Sequence, residues 1–279
     1  MSELDFGVVG QVIKPPAFEY TWKDVVLYAL GIGAQADELS YVYENASGGL
    51  KVLPTFGLMC DCLAHFNVPK PLDHARFIHA EHFIRLHRPL PPEGRIVREG
   101  VVPHIYDKKK YALIVSQTSG YSEKGDLLVE SVGSIFYRGA GGFGGDPAPK
   151  SEPLTPPADV APDFSVTYPI PLNQAALYRL NGDYNPLHID PEVGEKAGFG
   201  RPILHGLCTY GYAVRAIVMS LCEGEVSRFK EFKARFTDVV YPGESITIEG
   251  WKGQDDRYII QVCSSRGAVV LGNSYALVV

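Results

Sequence analysis

No apolar run in the 279-residue sequence approaches the roughly 20 residues that a membrane-spanning helix needs. The start, Met1-Ser2-Glu3-Leu4-Asp5, has neither the basic nor the apolar segment of a secretory signal. Positive charge is short as well. With 32 acidic against 26 basic side chains, the net charge of −6 argues against nucleic acid or an anionic membrane as bulk partner. Cysteine is sparse and odd in number: Cys60, Cys62, Cys208, Cys222 and Cys263 fall in apolar segments and read as buried free thiols in a reducing compartment. Cys60-Asp61-Cys62 has no two-residue gap and no second pair, so it lacks zinc-site spacing. The ending, Ser274-Tyr275-Ala276-Leu277-Val278-Val279, is not a Ser-Lys-Leu peroxisomal address. The compartment expected from these absences is cytoplasmic or peroxisomal.

What is present is a globular composition, 46% hydrophobic and 21% charged, long enough for two domains. One segment is written twice. Leu27-Tyr28-Ala29-Leu30-Gly31-Ile32-Gly33 matches Leu177-Tyr178-Arg179-Leu180-Asn181-Gly182-Asp183, and Arg85 and Pro92 match Arg235 and Pro242. Every pair lies 150 positions apart, which points to tandem duplication. Gly- and Pro-rich sequence from Gly139 to Pro157 reads as a connector. The expected domains are therefore 1–138, a linker at 139–164, and 165–279.

Each half has the same coarse pattern. Thr21-Trp22-Lys23-Asp24 resembles a capping box opening a helix to about Leu30, and a second helical segment spans Pro54 to Phe66. Strand-like runs follow at 77–86, 97–106, 111–116 and 127–137. The second half repeats this with helices at 173–180 and 206–221, then strands at 229–236, 245–251, 258–264 and 269–278. A long apolar helix followed by antiparallel strands implies an α+β unit with a sheet wrapped on a central helix.

The chemistry-bearing stretch runs from Tyr178 to Pro191. Asn181-Gly182 is a helix stop, and Asp190-Pro191-Glu192 is a helix start. Between them a constrained loop offers Asp183, Asn185 and His188 around Pro186, an acid and a base suited to proton transfer or, equally, a structural loop pair. The first half has Gly33 where the second has Asp183, and no histidine follows it, so one copy is blank. Pro202 and Gly206 punctuate the start of the long helix. The Gly206 N–H at that terminus either polarises a carbonyl or merely permits close packing. His205 reads as a packing or backbone-holding residue rather than a base. His74, His79, His82 and His87 invite a metal reading, but His79 and His82 on one strand should face opposite sides. Lys108-Lys109-Lys110 is a solvated turn or a contact for phosphates.

These segments, with Tyr41-Val42-Tyr43-Glu44-Asn45, Leu53-Pro54-Thr55-Phe56, Gly141-Gly142-Phe143-Gly144-Gly145 and Arg235-Phe236…Tyr241-Pro242-Gly243, resemble the MaoC-like hydratases, more closely their 2-enoyl-CoA hydratase 2 branch. The resemblance covers nearly the whole chain, and Asp183-x-Asn185-Pro186-Leu187-His188 is its specific part. It implies a double hot-dog fold and hydration of trans-2-enoyl-CoA to (3R)-3-hydroxyacyl-CoA in fatty-acid metabolism, with no metal or redox cofactor. It also implies that Asp183 and His188 deprotonate water and return a proton to Cα, that Asn185 steadies them, and that the Gly206 N–H binds the thioester oxygen. The substrate contacts it implies are His79, Ala80, Lys108, Tyr184, Pro186, Leu187 and Phe236. The family pattern has Gly and Gln where this chain has Ala80 and His82. An acyl-CoA substrate and a homodimer are expected, without nucleic acid or membrane. The alternatives are a dehydratase for bulky or carrier-bound 3-hydroxyacyl thioesters, and a catalytically silent acyl-CoA-binding subunit.

Overall fold

The computed structural model describes residues 4–66, 68, 76–150, 152–253 and 255–279. The strands are β1 (Val12–Ile13), β2 (Phe18–Tyr20), β3 (Phe77–Leu86), β4 (Gly94–Asp107), β5 (Tyr111–Tyr121), β6 (Leu127–Arg138), β7 (Phe164–Pro169), β8 (Phe229–Phe236), β9 (Ser245–Lys252), β10 (Arg257–Ser264) and β11 (Val269–Val278). The helices are α1 (Trp22–Gly31), α2 (Leu39–Val42), α3 (Gln174–Tyr178), α4 (Pro191–Lys196) and α5 (Gly206–Leu221). Strand order is β1-β4-β5-β6-β3-β8-β11-β10-β9-β7, with β2 paired to β4, so one sheet runs through both repeats. Alternating burial along β5 shows the cause, one face turned to the core and one outward. This is the expected α+β double hot-dog arrangement.

The repeats meet where β3 pairs antiparallel with β8: Glu81 faces Arg235, Phe83 faces Lys233, and Arg85 faces Glu231. The 150-residue spacing carries Glu81 to Glu231, Phe83 to Lys233 and Arg85 to Arg235, so a pseudo-twofold axis passes between Phe83 and Lys233. Two ion pairs, Arg85–Glu231 at 2.7 Å and Arg235–Glu81 at 3.2 Å, are copies of one another across it. Their arginines are half-exposed, so each pair contributes about 1 kcal/mol, and the two together match the register of the junction. Tyr28 and Tyr178 also meet, with ring centroids 6.3 Å apart.

Local chemistry explains the helix ends. The Asp24 carboxylate accepts the Thr21 N–H at 2.7 Å at the start of α1. Asp190 caps α4 by accepting the Glu192 N–H at 2.9 Å, with Pro191 at the first helical position. After α3 a 3-10 turn, Arg179–Asn181, ends at Gly182 with φ of 111°, the left-handed conformation glycine tolerates.

The helix predicted near Pro54–Phe66 is less regular than its counterpart. It forms 3-10 turns at Pro54–Cys60 and Leu63–His65, separated where Asp61 adopts extended ψ of 142°. Among the described residues only the second repeat carries a long central helix, and α5 is buried all round from Cys208 to Val218. All five cysteines are free, and four are buried. Among the described residues no helix is long and apolar enough to cross a membrane.

Packing accounts for the blank loop. The 150-residue spacing places Gly33, Gln35 and Glu38 at the positions of Asp183, Asn185 and His188. Gly33 has φ of +80°, and a Cβ there would lie 2.4 Å from the Tyr212 hydroxyl, so an α5 tyrosine fills the space that an aspartate at this position would need. Glu38 accepts two hydrogen bonds from Arg215 of α5, whose guanidinium lies 4.5 Å from the Tyr168 ring. Both partners are largely shielded from solvent, the Arg215 side chain 4% and Glu38 12% exposed. The loop has become a tie between repeats. Glu38→Ala strands a buried cation and should lower stability by about 3–5 kcal/mol in urea unfolding, whereas Glu38→Leu with Arg215→Met should recover most of that loss. Gly33→Asp should destabilise the fold and restore no second site.

Candidate active site

The loop between the 3-10 turn at Asn181 and α4 is shaped by its own side chains. Asp183 Oδ1 accepts the Asn185 N–H at 3.2 Å, and Asn185 Oδ1 accepts the Leu187 N–H at 3.0 Å. These local bonds, with Pro186 opening a short 3-10 turn through His188, hold an exposed carboxylate beside a buried imidazole. Leu187 is buried beneath the turn, while Pro186 and Tyr184 face solvent; the Arg179 guanidinium sits 5.3 Å from the Tyr184 ring.

The segment leading into α5 closes the other side. His188 Nδ1 lies 2.9 Å from the Ile203 carbonyl, which can only accept, so Nδ1 carries the proton and Nε2 keeps a free lone pair. His205 Nε2 donates to the Asp183 carbonyl at 3.2 Å, and its ring stacks on His188 at 3.8 Å. His205 thus packs and holds backbone. The ligand atoms of Asp183, His188 and His205 lie within 4.8 Å of one another. One nitrogen of each ring is already given to a carbonyl, so each imidazole keeps a single free nitrogen.

Burial outweighs the attraction of Asp183 and lowers the pKa of His188 below its ordinary value, so the ring is neutral at pH 7. Burial first, then His188, pushes His205 down to about 4. Gly206 begins α5, and its N–H makes no hydrogen bond among the described residues. A Cβ on Gly206 would approach the Phe236 ring to 3.0 Å, which places Phe236 as the wall beside that N–H.

The first repeat enters through His79. Its ring packs on Phe236 at 4.5 Å, close enough to Asp183 that the carboxylate opposes the burial that lowers its pKa to about 4. The opposite-face expectation for His79 and His82 is corrected by the structure. Between His79 and Glu81, β3 advances two residues while β6 advances one, a bulge at Ala80. The bulge turns both imidazoles to one side, with His79 Nε2 3.1 Å from His82 Nδ1. His82 is the site residue that the motif did not reveal. Ala80 is buried in the bulge, so its side chain packs inward.

Lys108 is not part of this cluster. It is exposed in the β4–β5 turn, at the end of the sheet shared with His79 but three strands away, roughly 14 Å at about 4.8 Å per strand. Asp107 anchors that turn to the glycine-rich segment by accepting the Gly142 and Gly144 N–H groups, each at 2.8 Å. His87 pairs with Glu130 on the surface, and His74 lies outside the described residues.

Residues 18–139 match the family described as MFE-2 hydratase 2 N-terminal domain, and residues 154–271 match the MaoC like domain. A Dictyostelium discoideum protein named probable enoyl-CoA hydratase 2 is 38% identical over 97% of this chain and 95% of its own length. The mouse peroxisomal multifunctional enzyme type 2 is 38% identical over 96% of this chain, which spans 38% of that longer protein. The crystal structure of a MaoC-like dehydratase from Phytophthora capsici superposes with a TM-score of 0.87 at 29% identity, covering 98% of this chain and 96% of that one. With both repeats matched in order and near-complete coverage of a relative of its own length, the chain belongs to the MaoC-like hydratase family, in its two-repeat hydratase 2 branch.

Proposed function

We propose that the protein is a hydro-lyase that adds water to trans-2-enoyl-CoA, giving (3R)-3-hydroxyacyl-CoA, and catalyses the reverse dehydration. The observation that carries this reading is a carboxylate and a free imidazole nitrogen, Asp183 and His188 Nε2, held beside an uncommitted helix-terminal N–H at Gly206. Water bound between Asp183 and His188 loses a proton to this pair as its oxygen bonds to Cβ. The electron pair of the Cα=Cβ bond moves to the thioester oxygen, where the Gly206 N–H and the α5 terminus stabilise the enolate. The proton then returns from the pair to Cα. Asn185 holds Asp183 through its N–H, and His79, Phe236 and the exposed Tyr184 line the acyl path, with Pro186 and Leu187 shaping its floor. In this reading the exposed Lys108 contacts the phosphates of the CoA moiety.

Every step is a proton transfer or an addition, so the reaction calls on no metal or redox cofactor. The same groups serve hydration and dehydration, which share a transition state. A homodimer is part of the proposal, supported by the family resemblance and tested by light scattering. A peroxisomal or cytoplasmic setting is part of it too, supported by the mouse relative's name.

The direct test is loss of enoyl absorbance on incubation with crotonyl-CoA and decenoyl-CoA, followed by chiral analysis of the product. Coenzyme A thioester binding without absorbance loss would leave only the silent binding subunit. Asp183→Asn and His188→Ala should each lower kcat by about 10²–10⁴-fold. Gly206→Pro removes the N–H at a helix position that accepts proline, behind a His205 whose ψ of 133° suits a preceding residue. It should lower kcat by about 10²–10³-fold, and Gly206→Ala controls for crowding of Phe236. Because the free base of His188 is the active form and its pKa is lowered, activity should fall only as pH drops through a value below 6.5. A kcat/KM profile with its acid limb above that value would contradict this assignment.

A further inference from the structure

The bulge in β3 is repeated in the twin. Between Phe229 and Glu231, β8 advances two residues while β11 advances one, as β3 does against β6 between His79 and Glu81. The 150-residue spacing therefore places His79 on Phe229 and His82 on Phe232 in both sequence and structure. The two phenylalanines are core residues, 1% and 0% exposed. The fold is thus content with apolar rings at both positions, yet the first repeat carries a histidine pair there, facing the catalytic loop.

That pair is costly to bury. His82 is 3% exposed, its Nε2 has no hydrogen-bond partner, and the nearby Tyr210 hydroxyl is already given to the Phe232 carbonyl at 2.6 Å. Both rings are neutral, because burial lowers His79 to about 4 and His82 well below its ordinary value. A neutral pair shares one proton in the 3.1 Å contact, so two tautomeric arrangements exist. If His79 were the donor, His82 would bury an orphaned N–H. His79 would then turn a bare Nδ1 lone pair toward the cleft that holds the Asp183 carboxylate. If His82 Nδ1–H is the donor, the core holds an unpaired acceptor, the less penalised orphan, and His79 presents Nδ1–H to the cleft.

We propose that His82 is a positioning residue: it donates to His79 Nε2 and thereby holds His79 as an Nδ1–H donor toward the acyl thioester beside Phe236. The role at the substrate rests on the hydratase reading; the tautomer does not. Uniformly ¹⁵N-labelled protein reports each ring tautomer directly by NMR, and kcat and KM for decenoyl-CoA report the consequence. Wild type should show His79 as Nδ1–H. His82→Phe, the residue the twin uses, should shift His79 to Nε2–H and raise KM about tenfold with kcat little changed, the scale of one lost hydrogen bond. His82→Gln, whose amide can donate, should restore KM to within about threefold of wild type, by the same hydrogen-bond scale.

An Nε2–H tautomer for His79 in wild type would overturn the proposal. So would unchanged KM in His82→Phe, or equal impairment of the Phe and Gln variants, which would mark a packing role. If wild type hydrates no enoyl-CoA, the hydratase reading and the substrate role fall together, and the ring spectrum still decides whether His82 donates to His79.

Discussion

Both repeats lean on α5, because among the described residues the first has no helix of comparable length. Toward its N-terminus, His205 holds the Asp183 carbonyl and Gly206 opens the first turn beside Phe236. Further along, Cys208 Sγ contacts the Gly31 carbonyl, Tyr212 fills the space at Gly33, and Arg215 ties down Glu38. One helix cannot offer its N-terminus to two loops. Only the loop at the first turn meets unpaired N–H groups and their partial positive charge, so only that loop can stabilise an enolate. The other lies against the middle of the helix, where the backbone N–H groups are spent, and a packed Arg–Glu tie is what that environment can support.

Around the catalytic loop, burial does more than attraction. The carboxylate is exposed while His188 and His205 are shielded, and these two rings stay neutral despite the nearby Asp183 charge. A neutral imidazole with a fixed tautomer is a base; a protonated one paired with Asp183 would be a structural ion pair. The Ile203 carbonyl therefore has a chemical consequence: by accepting from Nδ1 it leaves Nε2 of His188 as the proton acceptor.

Most of the fold was legible because duplicated sequence is checked against itself. The strands at 229–236 and 269–278 coincide with their predicted bounds. The arginines that marked the repeat, Arg85 and Arg235, lie at the junction, facing Glu231 and Glu81. Other features stayed hidden, β7 and α2 among them. The short strands β1 and β2 depend on pairing with β4 rather than on any pattern of their own. The segment at Pro54–Cys60 looked helical by composition, yet the chain forms a 3-10 turn there, ended by Asp61. The bulge at Ala80 has no composition signal, and without it the parity of a strand separates His79 from His82. Comparison of His82 with Phe232 at the common spacing was the available clue: a polar ring where the twin needs an apolar one.

The first repeat is consequently blank in one sense only. It has Gly33 and Glu38 where the second has Asp183 and His188, and it has two imidazoles on the strand that reaches across the junction. The catalytic loop comes from the second repeat, and the wall opposite it comes from the first through His79, packed on Phe236 of β8. The pseudo-twofold axis between Phe83 and Lys233 is what allows this: it sets β3 of one repeat beside β8 of the other, so a change on either strand faces the same cleft. Duplication supplied two equivalent positions for each role, and the single long helix broke their equivalence. With only one loop at an unpaired helix terminus, the first repeat meets that loop's cleft from the far side through His79.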